Sequence, residues 1–92
     1  MTTSEFETDA VRPVEAHGDQ NFLFVTLADR RQIRAPLWFF PFLADAAADD
    51  RAAMELEFAA VWWPRLDDGV SVKGLLLGRK APRAVPPSVA AE

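Results

Sequence analysis

The chain has no cysteine and no tyrosine, and its 92 residues include one histidine and four glycines. Without cysteine there can be no disulfide, no thiolate metal site and no cysteine nucleophile, which fits a reducing cytoplasm. No apolar run approaches the 18 residues that a membrane helix needs, and no charged-then-apolar leader opens the chain. The expectation is a cytoplasmic protein without a membrane segment. Hydrolase or transferase chemistry needs a nucleophile, a base and an orienting group together. His17 falls in a turn-like stretch, Ser4 and Ser88 lie near the termini, and Ser71 reads as a helix cap. The sequence therefore predicts a protein that is not an enzyme and uses no cofactor.

What is present is apolar and aromatic. Half of the residues are hydrophobic, and seven Phe and three Trp make up the aromatics. Phe has no polar handle, so these rings belong in a core or an apolar interface. Ninety-two residues make one domain. Charge is uneven. Arg79, Lys80 and Arg83 against Glu92 put residues 79–92 at +2, so residues 1–78 carry −6 of the net −4. A body of that sign repels phosphate backbones, so direct binding of nucleic acid is not expected. It would suit another protein as partner, including a basic nucleic-acid-binding one, and is compatible with a homodimer.

The pattern predicts an α+β domain over residues 11–78: a small antiparallel sheet of about four strands with short helices packed on it. An acidic, aperiodic arm precedes it over residues 1–10, and a Pro/Ala-rich tail follows over residues 79–92; both are expected to be disordered. Residues 11–16 form at best an edge strand, because Pro13 lacks a donor. Asn21 to Ala28 is the clearest strand. Leu23, Val25 and Leu27 line one face, and Phe22, Phe24 and Thr26 the other. Two apolar faces predict a central strand covered on both sides.

A tight hairpin at Asp29–Arg30 leads to a strand over residues 31–35. Arg30 must take a left-handed conformation or widen the turn. Pro41 is tolerated in a first helical turn, and Asp49 and Asp50 suit the start of a second short helix over residues 51–56. Residues 58–63 return as a strand, and Asp67–Asp68–Gly69 is a turn. Ser71 caps a last helix over residues 72–77, which Gly78 stops. The expected core is Leu23, Val25, Leu27, Ile33, Val61, Trp63, Leu75 and Leu76.

Pro36-Leu37, Phe40-Pro41-Phe42-Leu43, Trp63-Pro64, Leu66-Asp67-Asp68, Val70-Ser71-Val72 and Leu75-Leu76-Gly78 occur in an order that resembles the bacterial domain-of-unknown-function family 2442. That family is known as the N-terminal domain of some helix-turn-helix proteins, and no helix-turn-helix pattern is visible here. Arg30 departs from the family's usual Gly. The resemblance covers residues 11–78 and implies an antiparallel sheet with short helices on one side. Members also occur beside a second small domain suspected of being a toxin, which implies an accessory or antitoxin-like role.

Trp38, Phe39, Phe40 and Phe42 fall within five residues, and one core cannot take all of them. Trp62 and Trp63 are sequential in a strand and must face opposite sides. Exposed Trp and Phe are enriched at the centres of protein interfaces. Trp38, Phe39, Phe42 and Trp62 are therefore the candidate interaction patch, with Arg34 as a basic contact and Asp49 and Asp50 as acidic ones. The two acidic pairs lack the spacing of a calcium loop, and no metal site is expected. The leading expectation is a non-enzymatic protein-binding domain. The alternative is a phage-type acidic inhibitor, anti-CRISPR-like, that mimics DNA against a nucleic-acid-binding complex.

Overall fold

In the computed structural model, which describes residues 9–86, two three-stranded antiparallel sheets share one core with three short helices. The first sheet has the order β1 (Pro13–Gly18), β2 (Phe22–Leu27), β3 (Gln32–Pro36). A 3-10 turn over Leu37–Phe39 leads to α1 (Pro41–Ala44) and then α2 (Ala48–Ala52). The second sheet is β4 (Glu55–Leu56), β5 (Ala60–Trp63), β6 (Asp68–Ser71), followed directly by α3 (Val72–Leu76). Of the arm and tail expected to be disordered, residues 1–8 and 87–92 lie outside the described residues. No helix among the described residues is long and apolar enough to cross a membrane.

The chain stays antiparallel because each turn has its own chemistry. Asp19 Oδ1 accepts the backbone N–H of Asn21 and of Phe22, each at 2.7 Å, closing the β1–β2 connection. The β2–β3 loop is four residues long, 28–31. Leu27 N–H donates to Arg31 O, and Arg30 N–H donates to Leu27 O. Arg30 sits at φ 78°, the left-handed position that closes such a loop. The turn both widens and takes the left-handed residue. Asp29 supports it by accepting the backbone N–H of Arg31 at 3.0 Å and its Nε–H at 2.8 Å.

The core forms where alternation turns inward. Leu23, Val25 and Leu27 of β2 are buried, and Val61 and Trp63 of β5 face them from the second sheet. Leu43 of α1 and Val72 and Leu75 of α3 close the remaining sides. Ile33 and Leu76 are half-buried and pack at its margin. Trp63 is fully buried, and its indole N–H donates to Arg51 O at 2.9 Å. The Arg51 guanidinium turns back to Leu43 O and Ala46 O. One arginine thus ties α1 and α2 to the core tryptophan.

Three expectations change. Residues 55–56 are strand rather than helix: Ala53 leaves helical geometry, and Glu55 and Leu56 then pair with Trp62 and Val61. Asp68 and Gly69 are the start of β6 rather than a turn. The turn itself is Pro64–Asp67, with Asp67 at φ 51°. Pairing to β5 overrides the local helix preference in the first place and the turn preference in the second. The third concerns the face of β2 expected to be covered, where Phe22, Phe24 and Thr26 are half-buried. Its cover comes from within its own sheet. His17 stacks on Phe24 with ring centroids 4.8 Å apart, and Arg34 lies 4.7 Å from the Phe22 ring.

Candidate interaction groove

Pro36 ends β3, and Pro41 starts α1 with its preset φ. Over residues 37–42 the chain turns so tightly that four aromatic rings must fan out. Phe40 goes into the core. Phe42 is half-buried and meets Trp63 edge-on at 5.6 Å. Trp38 and Phe39 stay half-buried and pack edge-to-face at 4.7 Å.

The segment after α3 lies across these rings. Arg79 N–H donates to Gly74 O, and Ala81 N–H donates to Phe39 O, both at 2.9 Å. Lys80 Nζ sits 4.8 Å from the centroid of Phe39 and 5.9 Å from that of Trp38. A cation over a ring face is a favourable contact. These contacts hold residues 79–81 against the 3-10 turn.

Between this segment and β6 lies a groove made of two adjoining depressions of about 280 and 360 Å³. Phe42, Asp68, Ala81 and Pro82 belong to both. The first continues to Ser71, Gly74, Arg79 and Lys80, and the second to Asp45 and Arg83. The floor is apolar and the walls carry both signs of charge.

One wall is a strand edge that is unpaired among the described residues. β6 is the outer strand of the second sheet. Val72 N–H donates to Ala59 O, and the register continues through Val61↔Val70. In an antiparallel ladder, bonded and non-bonded pairs alternate. Gly69 and Ser71 therefore turn their N–H groups away from β5, toward the groove. Asp68 Oδ1 accepts the Gly69 N–H at 2.7 Å.

Of the seven residues chosen from sequence, three gather at this place: Trp38, Phe39 and Phe42. Trp62 is half-buried on the outward face of β5, its ring lying across Gly69. Arg34 is on the outer face of the first sheet, over Phe22. Asp49 and Asp50 are at the start of α2, where Asp50 meets Arg65 at 3.5 Å. The seven do not form one patch. His17 is on the first sheet, and the Ser71 hydroxyl accepts the Gly74 N–H at 2.9 Å, as a cap should.

Sequence reasoning missed Arg79, Lys80 and Arg83 as groove residues because they were read as tail. Their local excess of positive charge on an acidic chain was the available signal.

The carboxylates are spread over separate turns. Hydrogen bonds from the backbone N–H groups of Asn21 and Phe22 hold the Asp19 carboxyl below its ordinary range, with His17 and Arg34 adding to this. The backbone N–H of Arg31 does the same for Asp29.

The family described as "Protein of unknown function (DUF2442)" matches residues 11–81. A protein of unknown function from Rhodospirillum rubrum, known from its crystal structure, shares the fold with a TM-score of 0.69. That match covers 79% of this chain and 93% of the other, at 25% sequence identity. No curated protein matches the chain.

Proposed function

This chain belongs to the DUF2442 family of proteins of unknown function, and we propose that it is a non-enzymatic protein-binding domain, an accessory or antitoxin-like partner acting in the cytoplasm. The groove between β6 and residues 79–83 is its contact surface, with Trp38 and Phe39 beside it. The observation that carries this reading is a convergence: an apolar floor at Phe42 and an unpaired strand edge meet in one open depression. Strand edges and aromatic grooves are recurrent ways of holding another chain.

The acidic-inhibitor reading draws less support. DNA mimicry needs carboxylates arrayed on one face. Here Asp19 and Asp29 accept backbone N–H groups in their own turns, Asp68 accepts the Gly69 N–H at the start of β6, and Asp50 pairs with Arg65.

The test is a photo-crosslinking residue at the exposed Pro82, with a second variant at the exposed Gln32 of the first sheet as control. Expression in the native host should yield a discrete crosslinked protein from position 82 only. Trp38→Ala should weaken the captured complex by about 2 kcal/mol. Equal capture from both positions, or a captured complex unchanged by Trp38→Ala, would sink the proposal.

A further inference from the structure

We propose, resting on the protein-binding reading above, that the groove takes an extended acidic segment of the partner protein, added as a fourth strand along β6. The open edge sets the backbone requirement. Ser71 and Gly69 present N–H groups on the side away from β5, and a strand laid there can accept from Ser71. Alternation sets the side chains: in an added strand every second residue faces one side. Phe42 and Pro82 offer an apolar surface to one set.

Charge sets the other. Arg79 and Arg83 are exposed on the wall opposite β6, and neither is engaged in an ion pair among the described residues. Lys80 stands beside them over the aromatic rings. These three cations outnumber Asp45 and Asp68 in the groove, on a chain that is otherwise acidic. Asp68 is already turned onto the Gly69 N–H. A segment bearing carboxylates on one face and small apolar residues on the other fits both walls. A basic segment would meet two guanidinium groups that make no ion pair among the described residues.

The probe is an acetylated and amidated heptapeptide, Ser-Glu-Val-Glu-Val-Glu-Ser, titrated into the full chain labelled with nitrogen-15. The Gly69 and Ser71 amide signals should shift, and exchange of the Ser71 amide should slow. The same peptide with Lys for Glu should bind at least about tenfold more weakly. Arg79→Glu combined with Arg83→Glu should reverse that order while leaving the melting curve unchanged, since both side chains are exposed. Methylating the peptide's alternate backbone nitrogens should abolish binding in one of the two phases. Equal binding of the Glu and Lys peptides overturns the proposal, as does indifference to methylation in both phases. Shifts confined to the first sheet also overturn it. Shifts of Gly69 and Ser71 on simple concentration of the protein would assign the edge to a second copy instead. If position 82 captures a host protein while the acidic peptide leaves Gly69 and Ser71 unmoved, strand addition fails and the protein-binding reading stands.

Discussion

Replacing Trp63 probes the joint between core and groove. Its side chain is fully buried, touches Phe42 edge-on, and donates its indole N–H to Arg51 O. Trp63→Ala removes the largest buried side chain in the molecule. A truncation of that kind costs about 3–5 kcal/mol, because the surroundings collapse only partly. A domain of 92 residues has a total stability of about 5–14 kcal/mol. The variant should therefore lose a large part of its stability, and its melting temperature should fall by about 12 °C or more.

Trp63→Phe separates the two contributions. It keeps an aromatic ring against Phe42 but leaves Arg51 O without its donor. An unsatisfied carbonyl costs about 1–3 kcal/mol, with a smaller cavity added. The assay is urea unfolding followed by far-ultraviolet circular dichroism, which does not depend on the lost fluorophore. The order should be wild type, then Trp63→Phe, then Trp63→Ala, with unchanged slopes. An unchanged midpoint for Trp63→Ala would refute the core assignment. A Trp63→Phe variant as stable as wild type would refute the role given to the Arg51 hydrogen bond.

Gly69→Ala should destabilise by about 1–3 kcal/mol in the same assay. A Cβ there would stand 2.7 Å from Trp62 Cε3 and 2.8 Å from Val61 O. Trp62→Ala in the same chain should recover only part of the loss, because the backbone oxygen remains. Ser71→Ala removes the cap of α3 and should cost about 1 kcal/mol in thermal melts. By carbon-detected NMR titration, Asp29 and Asp19 should each show a midpoint below the ordinary 3.8. A lowered folded value stabilises the fold above the unfolded pKa and is lost as pH falls through the folded one. Acid titration should therefore open these two turns first, and midpoints at or above 3.8 would refute the hydrogen-bond account.

Much of the fold could be read from local pattern. Alternation in β2 and β5 assigned Leu23, Val25, Leu27, Val61 and Trp63 to the core, and all five are buried. Ser71 and Gly78 marked the ends of α3: the hydroxyl accepts from Gly74, and Gly78 takes φ 70°. The losses occurred where pairing partners decide. Glu55–Leu56 and Asp68–Ser71 are short, polar and rich in turn or helix formers. They are strands because β5 lies between them. A two-residue strand has no period of its own to detect.

The site was legible only as composition. Five adjacent residues held four rings, so some had to reach the surface, and Trp38, Phe39 and Phe42 do so only in part. What makes them a place is the return of residues 79–81. Two backbone hydrogen bonds and one ammonium over two rings create the groove's far wall. Its sequence, RKAPR, reads as a solvated tail because neither Gly74 O nor Phe39 O is visible in a linear pattern. The same cause separated Arg34 from the aromatics. Ring surplus and charge surplus were each seen, yet the charge that meets the rings lies some forty residues downstream of them. If the wall is functional, trimming the chain after Gly78 should remove binding at the groove while leaving the Trp63 core folded.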